Sequence, residues 1–60
     1  LQIDQSDIGK RIEVRYTPTD RRVKGVIADV TGRAITILTD RRAKVFIPFT
    51  LLMKYNVKIH

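Results

Sequence analysis

From Arg11 onward, apolar residues recur at every second position, and this period of two is the strongest constraint on the fold. In RIEVRY, residues Ile12, Val14 and Tyr16 share one face while Arg11, Glu13 and Arg15 share the other. Side chains alternate sides in a strand, so this pattern makes a ribbon that is wet on one face and buried on the other. The alternation returns in RVKGVIADV, in RAITILT and in AKVFIPF, and closes the chain in YNVKI. No segment shows a helical period over useful length. With 60 residues and no cysteine, no disulfide or thiolate metal site can reinforce the core. A chain this short buries only about 60% of the surface its unfolded form exposes. Its Ile, Val and Leu must therefore nearly all be used.

The breaks between these ribbons read as turns. Thr17-Pro18-Thr19-Asp20 removes a backbone donor at proline and favours a turn at Asp20. Thr31-Gly32 is a tight connection, Asp40-Arg41 is a further turn, and Pro48 stops the fourth strand. Gly25 lies inside the second ribbon, where glycine marks a bulge or a sharp bend. FTLLM is too short for an α-helix and suits one turn of 3-10 helix, with Leu51 and Leu52 inward. Residues 55–59 then expose Asn56 and Lys58 and bury Tyr55, Val57 and Ile59. The expected fold is all-β: a five-stranded, strongly bent antiparallel barrel with a 3-10 turn before the last strand. Residues 1–9 read as an N-terminal extension or linker and residues 10–60 as the barrel.

The order of elements resembles the SH3-like and Sm-like small barrels, over residues 8–59. VKGVIADV is similar to the first Sm motif, in which a glycine opens an apolar second strand; the asparagine of the following turn is replaced by Thr31-Gly32-Arg33, and the second motif is absent. GVIADVTGRAITILTD with KVFIP resembles in cadence the barrel subunit of archaeal ribonuclease P. DIGKRIEV with KVFIP is similar to the C-terminal barrel of the ribosome maturation factor. Retroviral integrase C-terminal domains share the size and basicity. The resemblance implies a small barrel and contact with nucleic acid, RNA somewhat ahead of DNA.

Charge points the same way. Twelve Lys and Arg face six acids, giving a net charge of +6. In a small domain that balance signals an anionic partner, or else serves solubility alone. The motif TDRR occurs twice, at Thr19–Arg22 and Thr39–Arg42, and TDRRVKGVI matches TDRRAKVFI at six of nine positions. In an up-and-down meander the first and third turns lie at one end. The expected site therefore gathers Arg21, Arg22, Arg41 and Arg42 at that end, with Lys24 and Lys44 behind them and Asp20 and Asp40 partly offsetting the charge. Arginine forks suit phosphate. The alternative is that each TDRR is simply a hydrophilic hairpin tip. Phe46 faces outward by alternation, beside Lys44, where it would stack a base; the alternative is that the curled sheet or Phe49 covers it. Lys10, Arg11 and Arg15 read as charges that protect a strand edge.

Enzymatic classes find little to work with. Ser6, beside Asp7, and His60 are the single serine and histidine and stand near opposite ends of the chain. No clustered His or Cys offers a metal site, and no glycine-rich phosphate loop is present. No catalytic residue, metal, cofactor or small-molecule substrate is expected. No apolar run approaches the roughly 18 residues of a membrane span, so no membrane partner is expected either. The chain opens on Leu1 and reads as a domain of a larger protein, cytoplasmic or nucleoid-associated. A protein partner, or a homodimer through the edge strand YNVKI, is the second expectation.

Overall fold

The computed structural model describes residues 2–60. Five antiparallel strands form one sheet: β1 (Arg11–Tyr16), β2 (Arg21–Val30), β3 (Ala34–Thr39), β4 (Lys44–Pro48) and β5 (Tyr55–Ile59). Their spatial order is β4-β3-β2-β1-β5. The fold is all-β, as the alternation requires. Closure into a barrel is not observed: no ladder joins β4 to β5, and both are edge strands. The chain between them forms instead a one-turn α-helix, α1 (Phe49–Leu52), which puts Leu52 into the core. This turn is α where 3-10 was expected, and only Leu52 is buried. Leu51 stays exposed, because a single turn cannot aim two consecutive side chains at one core.

The core is aliphatic and dry. Ile12 and Val14 of β1, Ile27 and Val30 of β2, Ile35 and Ile37 of β3, and Ile47 of β4 pack together with Leu52. Most are β-branched, which suits a pleated, half-buried surface. Among the described residues no polar or charged side chain is buried. Tyr55, Val57 and Ile59 are only half-buried, since β5 has a neighbour on one side alone. Tyr16 and Tyr55 face each other across β1 and β5, their ring centroids 5.0 Å apart and tilted by 49°. Both tyrosines, placed on the buried face by alternation, are half-buried at the rim of the core.

Residues 2–10 are docked on the sheet. Residues Gln5–Asp7 form a 3-10 turn closed by a capping box, with the Asp4 carboxylate accepting from Ser6 N–H and Asp7 accepting from Asp4 N–H. Gly9 N–H donates to Ile27 O at 2.8 Å, Ile27 N–H donates to Lys10 O at 3.0 Å, and Ile3 packs on the core. Residues 2–10 thus lead directly into the first strand.

Gly25 has a different task from the one its position suggested. The irregularity in β2 falls three residues later, where Ile27 pairs with Ile37 and Asp29 with Thr36, leaving Ala28 as the extra residue. At Gly25 the sheet is pinched. A Cβ there would stand 2.1 Å from Leu38 O and 2.8 Å from both Leu38 C and Thr39 Cα. Those are backbone atoms of β3, which cannot swing aside without breaking the ladder. Gly32, in contrast, would place a Cβ in open space. Its turn is held by Thr31, whose Oγ1 accepts from the N–H groups of Arg33 and Ala34. G25A is expected to cost about 3 kcal/mol, the upper part of the range for forced overpacking. That is a large share of the roughly 3–9 kcal/mol available to a domain of this size. G32A should change stability by less than about 1 kcal/mol. Urea unfolding of the two variants checks this; equal losses would remove the pinch as the reason for glycine at 25.

Candidate functional site

The two TDRR copies are out of phase with the secondary structure. In the first, Thr19 and Asp20 close the turn and Arg21 and Arg22 already belong to β2. In the second, Thr39 is the last residue of β3, and Asp40, Arg41 and Arg42 are the turn itself. The local hydrogen bonds differ accordingly. Asp20, at φ 60°, donates its N–H to Tyr16 O at 2.7 Å. In the second copy the positive φ falls on Arg42, at 64°, and Thr39 Oγ1 accepts from Ala43 N–H at 3.0 Å. Four identical residues thus form two different turns.

The copies share one end of the sheet, as the meander demands, but they are stepped. β2 is ten residues long and β3 six, and the last rung between them pairs Gly25 with Thr39. Asp40 N–H then donates to Lys24 O at 3.0 Å. The second turn therefore lies beside Lys24, and the first lies beyond Arg21. Three strand residues separate these levels, about 10 Å at the usual rise per residue. The four arginines consequently do not form two pairs side by side. Val23 packs on the core, so Arg22 and Lys24 project to the outer face, and Arg21 follows the inner parity past the end of the core. Arg22, Lys24 and Arg41 line one groove together with Val23 and Ala43. Arg42 does not line it. Lys44 stands on the outer face of β4, paired with Leu38.

Two arginines outside the motif control its acids. Arg11 donates from Nη1 and Nη2 to the two carboxylate oxygens of Asp40, at 2.9 and 3.0 Å. Arg15 donates to Asp20 at 3.2 Å. Each TDRR aspartate is thus held by an outward arginine of β1, leaving the motif's own arginines without it. This corrects two expectations. Asp20 and Asp40 do not offset the TDRR arginines, and Arg11 and Arg15 do not guard an edge, since β1 lies between β2 and β5. Among the described residues the remaining ion pairs are Lys24 with Glu13 at 3.6 Å and Lys10 with Asp7 at 2.9 Å.

The net charge can now be located. Four of twelve cations pair with four of six acids, so the charge rests on eight cations, offset only by Asp4 and Asp29. Asp4 is engaged in the capping box, and Asp29 accepts from Val30 N–H. Five of the eight are Arg21, Arg22, Arg41, Arg42 and Lys44. Lys54 joins them, because its carbonyl accepts from Thr17 N–H and Oγ1 beside the first turn. Lys58 lies on β5, and Arg33 is at the opposite end. Only strand order and register bring Lys54, Arg11 and Arg15 to the turns, so their places there are not legible from spacing along the chain.

Phe46 is 66% exposed, so neither the curl of the sheet nor Phe49 covers it. Val45 and Ile47 take the inward positions. No helix among the described residues is long and apolar enough to cross a membrane. Among the described residues, too, no three His, Cys, Asp or Glu side chains gather as metal ligands. Ser6 and Asp7 are committed elsewhere: the Ser6 hydroxyl donates to Asp4, and Asp7 accepts from Lys10.

The hydrogen bonds from Arg11 hold the Asp40 carboxyl below the ordinary carboxylate range, and the same contact raises Arg11. A depressed carboxyl stabilises the fold above its unfolded pKa, and the contribution disappears as pH falls through the folded value. Both groups are exposed and screened by salt, so the effect on stability is small. The titration itself is the readable quantity. In a carbon-detected NMR titration, Asp40 should protonate at lower pH than an isolated aspartate, and R11M should return it to the ordinary range. An unchanged midpoint in R11M would show that the pair does not form in solution. No family model, curated protein or solved structure matches the chain.

Proposed function

We propose that this chain is a non-catalytic nucleic-acid-binding domain that grips the phosphate backbone with the arginines of its two stepped turns, RNA ahead of DNA. The observation that carries the reading is the distribution of charge. The acids nearest the turns are neutralised by β1, and the unpaired cations collect at the turn end. Arg22 and Arg41 face the groove they share with Lys24. Two guanidinium forks on one groove match a run of phosphates, each of which accepts paired N–H donors, and Lys24, shared with Glu13, borders the same groove. Asp40 also borders the groove, and its bidentate bond to Arg11 removes the repulsion it would otherwise exert on an anion. The likeness of the strand pattern to small barrels that act on RNA adds to this reading.

Such binding releases counterions, so log affinity falls linearly with log salt. The double variant R22A/R41A should flatten that slope by about 1.5, at roughly 0.7–0.9 per lost phosphate contact. R33A, at the far turn, should leave it unchanged. Fluorescence anisotropy of a labelled RNA at several salt concentrations measures both. Salt-independent affinity, or an R33A loss equal to that of R22A/R41A, would overturn the assignment.

A second reading is association with a protein, or with another copy of the chain, through an edge strand. It is favoured by the open edges of β4 and β5, each hydrogen-bonded to one neighbour only. Exposed strand edges template pairing with a further strand. Sedimentation with and without oligonucleotide separates the readings. A dimer indifferent to nucleic acid would favour the second.

A further inference from the structure

Beyond the turns, the outer face of β3 and β4 carries a patch that the phosphate reading leaves unused. Register sets Phe46 opposite Thr36 and Lys44 opposite Leu38. All four side chains project away from the core, because Ile35, Ile37, Val45 and Ile47 occupy the inward positions. Phe46 is 66% exposed and Leu38 40%, the two largest apolar groups on this face. Directly paired side chains stand about 5 Å apart and diagonal ones about 7–8 Å, so Phe46 and Leu38 lie side by side on a hydrogen-bonded platform. None of the four carries negative charge. Past Lys44 the chain runs straight into the turn that holds Arg41 and Arg42. On the other side of Thr36 lies Asp29, its partner in β2.

We infer that the outer face of β3 and β4 is a stacking site for an unpaired base, and that the ligand is single-stranded nucleic acid. The inference rests on the polynucleotide reading given above and narrows it. Inside a duplex both faces of a base are covered by its neighbours, so only an unpaired base can lay its face on Phe46. A base stacked there leaves its phosphates at the rim of the patch. The rim is cationic toward Lys44 and the second turn and anionic toward Asp29. The strand therefore runs from Phe46 past Lys44 to Arg41, entering the groove shared with Arg22. Charge also selects the occupant. A second copy, at +6 overall, brings no surplus of acid to meet this rim, whereas a nucleotide brings an aromatic plane with an attached anion.

The test compares a single-stranded RNA with a blunt-ended two-strand duplex of equal phosphate number, using the full chain. F46A should weaken binding of the single strand by roughly five- to hundredfold, the range for losing one base–aromatic stack. It should leave the salt slope and the duplex affinity unchanged. F46L should behave like F46A, and F46Y should retain parental affinity, since stacking needs the ring and not merely apolar area. Parental single-strand affinity in F46A, or equal losses on both ligands, would overturn the inference while leaving salt-dependent phosphate binding in place. Failure of the parent chain to bind either RNA would remove the polynucleotide reading and this inference together. A homodimer that F46A dissociates, with RNA affinity unchanged, would also overturn it by assigning the patch to self-association.

Discussion

The backbones of β2 and β3 meet so closely at Gly25 that no Cβ fits between them, and much of the surface layout follows from that contact. It is the last rung of the β2–β3 ladder. Beyond it, residues 21–24 of β2 run on with β1 as their ladder partner, while β3 turns away into residues 40–43. The stagger between the turns is fixed there. So is the placement of Asp40 beside Lys24, two residues along β2 from Val26, the partner of Arg11. Had β3 extended to the end of β2, the second turn would stand beside the first. Arg11 would then have no carboxylate to hold.

A dry, β-branched core forces every charge to the surface, and the order of strands decides which charges cancel. β1 lies between β2 and β5 and presents Arg11 and Arg15 on the outer face. Each reaches an aspartate supplied by a turn. These exposed pairs contribute little to stability. Their consequence is electrostatic: they leave Arg22, Arg41 and Lys44 unopposed along one end and one face. The chain's net charge thereby becomes a local feature. That is the condition for an anion to find one preferred place on the molecule.

Much of this fold was legible in the sequence, because period-two alternation ties side-chain parity to burial. The ranges of β1 and β5, the inward isoleucines and the outward Phe46 all follow from it. Where reading failed, the missing information was non-local. Gly25 reads as a bend, yet the bulge is at Ala28; the glycine is required by the carbonyl of Leu38, thirteen residues away in sequence. The repeated TDRR reads as two equivalent turns, but the phase of a motif against its strand depends on where pairing stops. Barrel closure also depends on edges that no local pattern encodes. The partners of Asp20 and Asp40 lie on β1, outside the motif, so spacing alone could not supply them.

The central claim is that anions gather at the stepped turns because Arg22, Lys24 and Arg41 share one groove. Amide chemical-shift mapping during titration with a short polyphosphate addresses this most directly, since it needs no assumption about nucleic-acid sequence. Saturable shifts should cluster at residues 21–24 and 39–44, with the far turn around Arg33 unmoved. Shifts of equal size at Arg33, or weak and unsaturable shifts spread over all the cations, would contradict it.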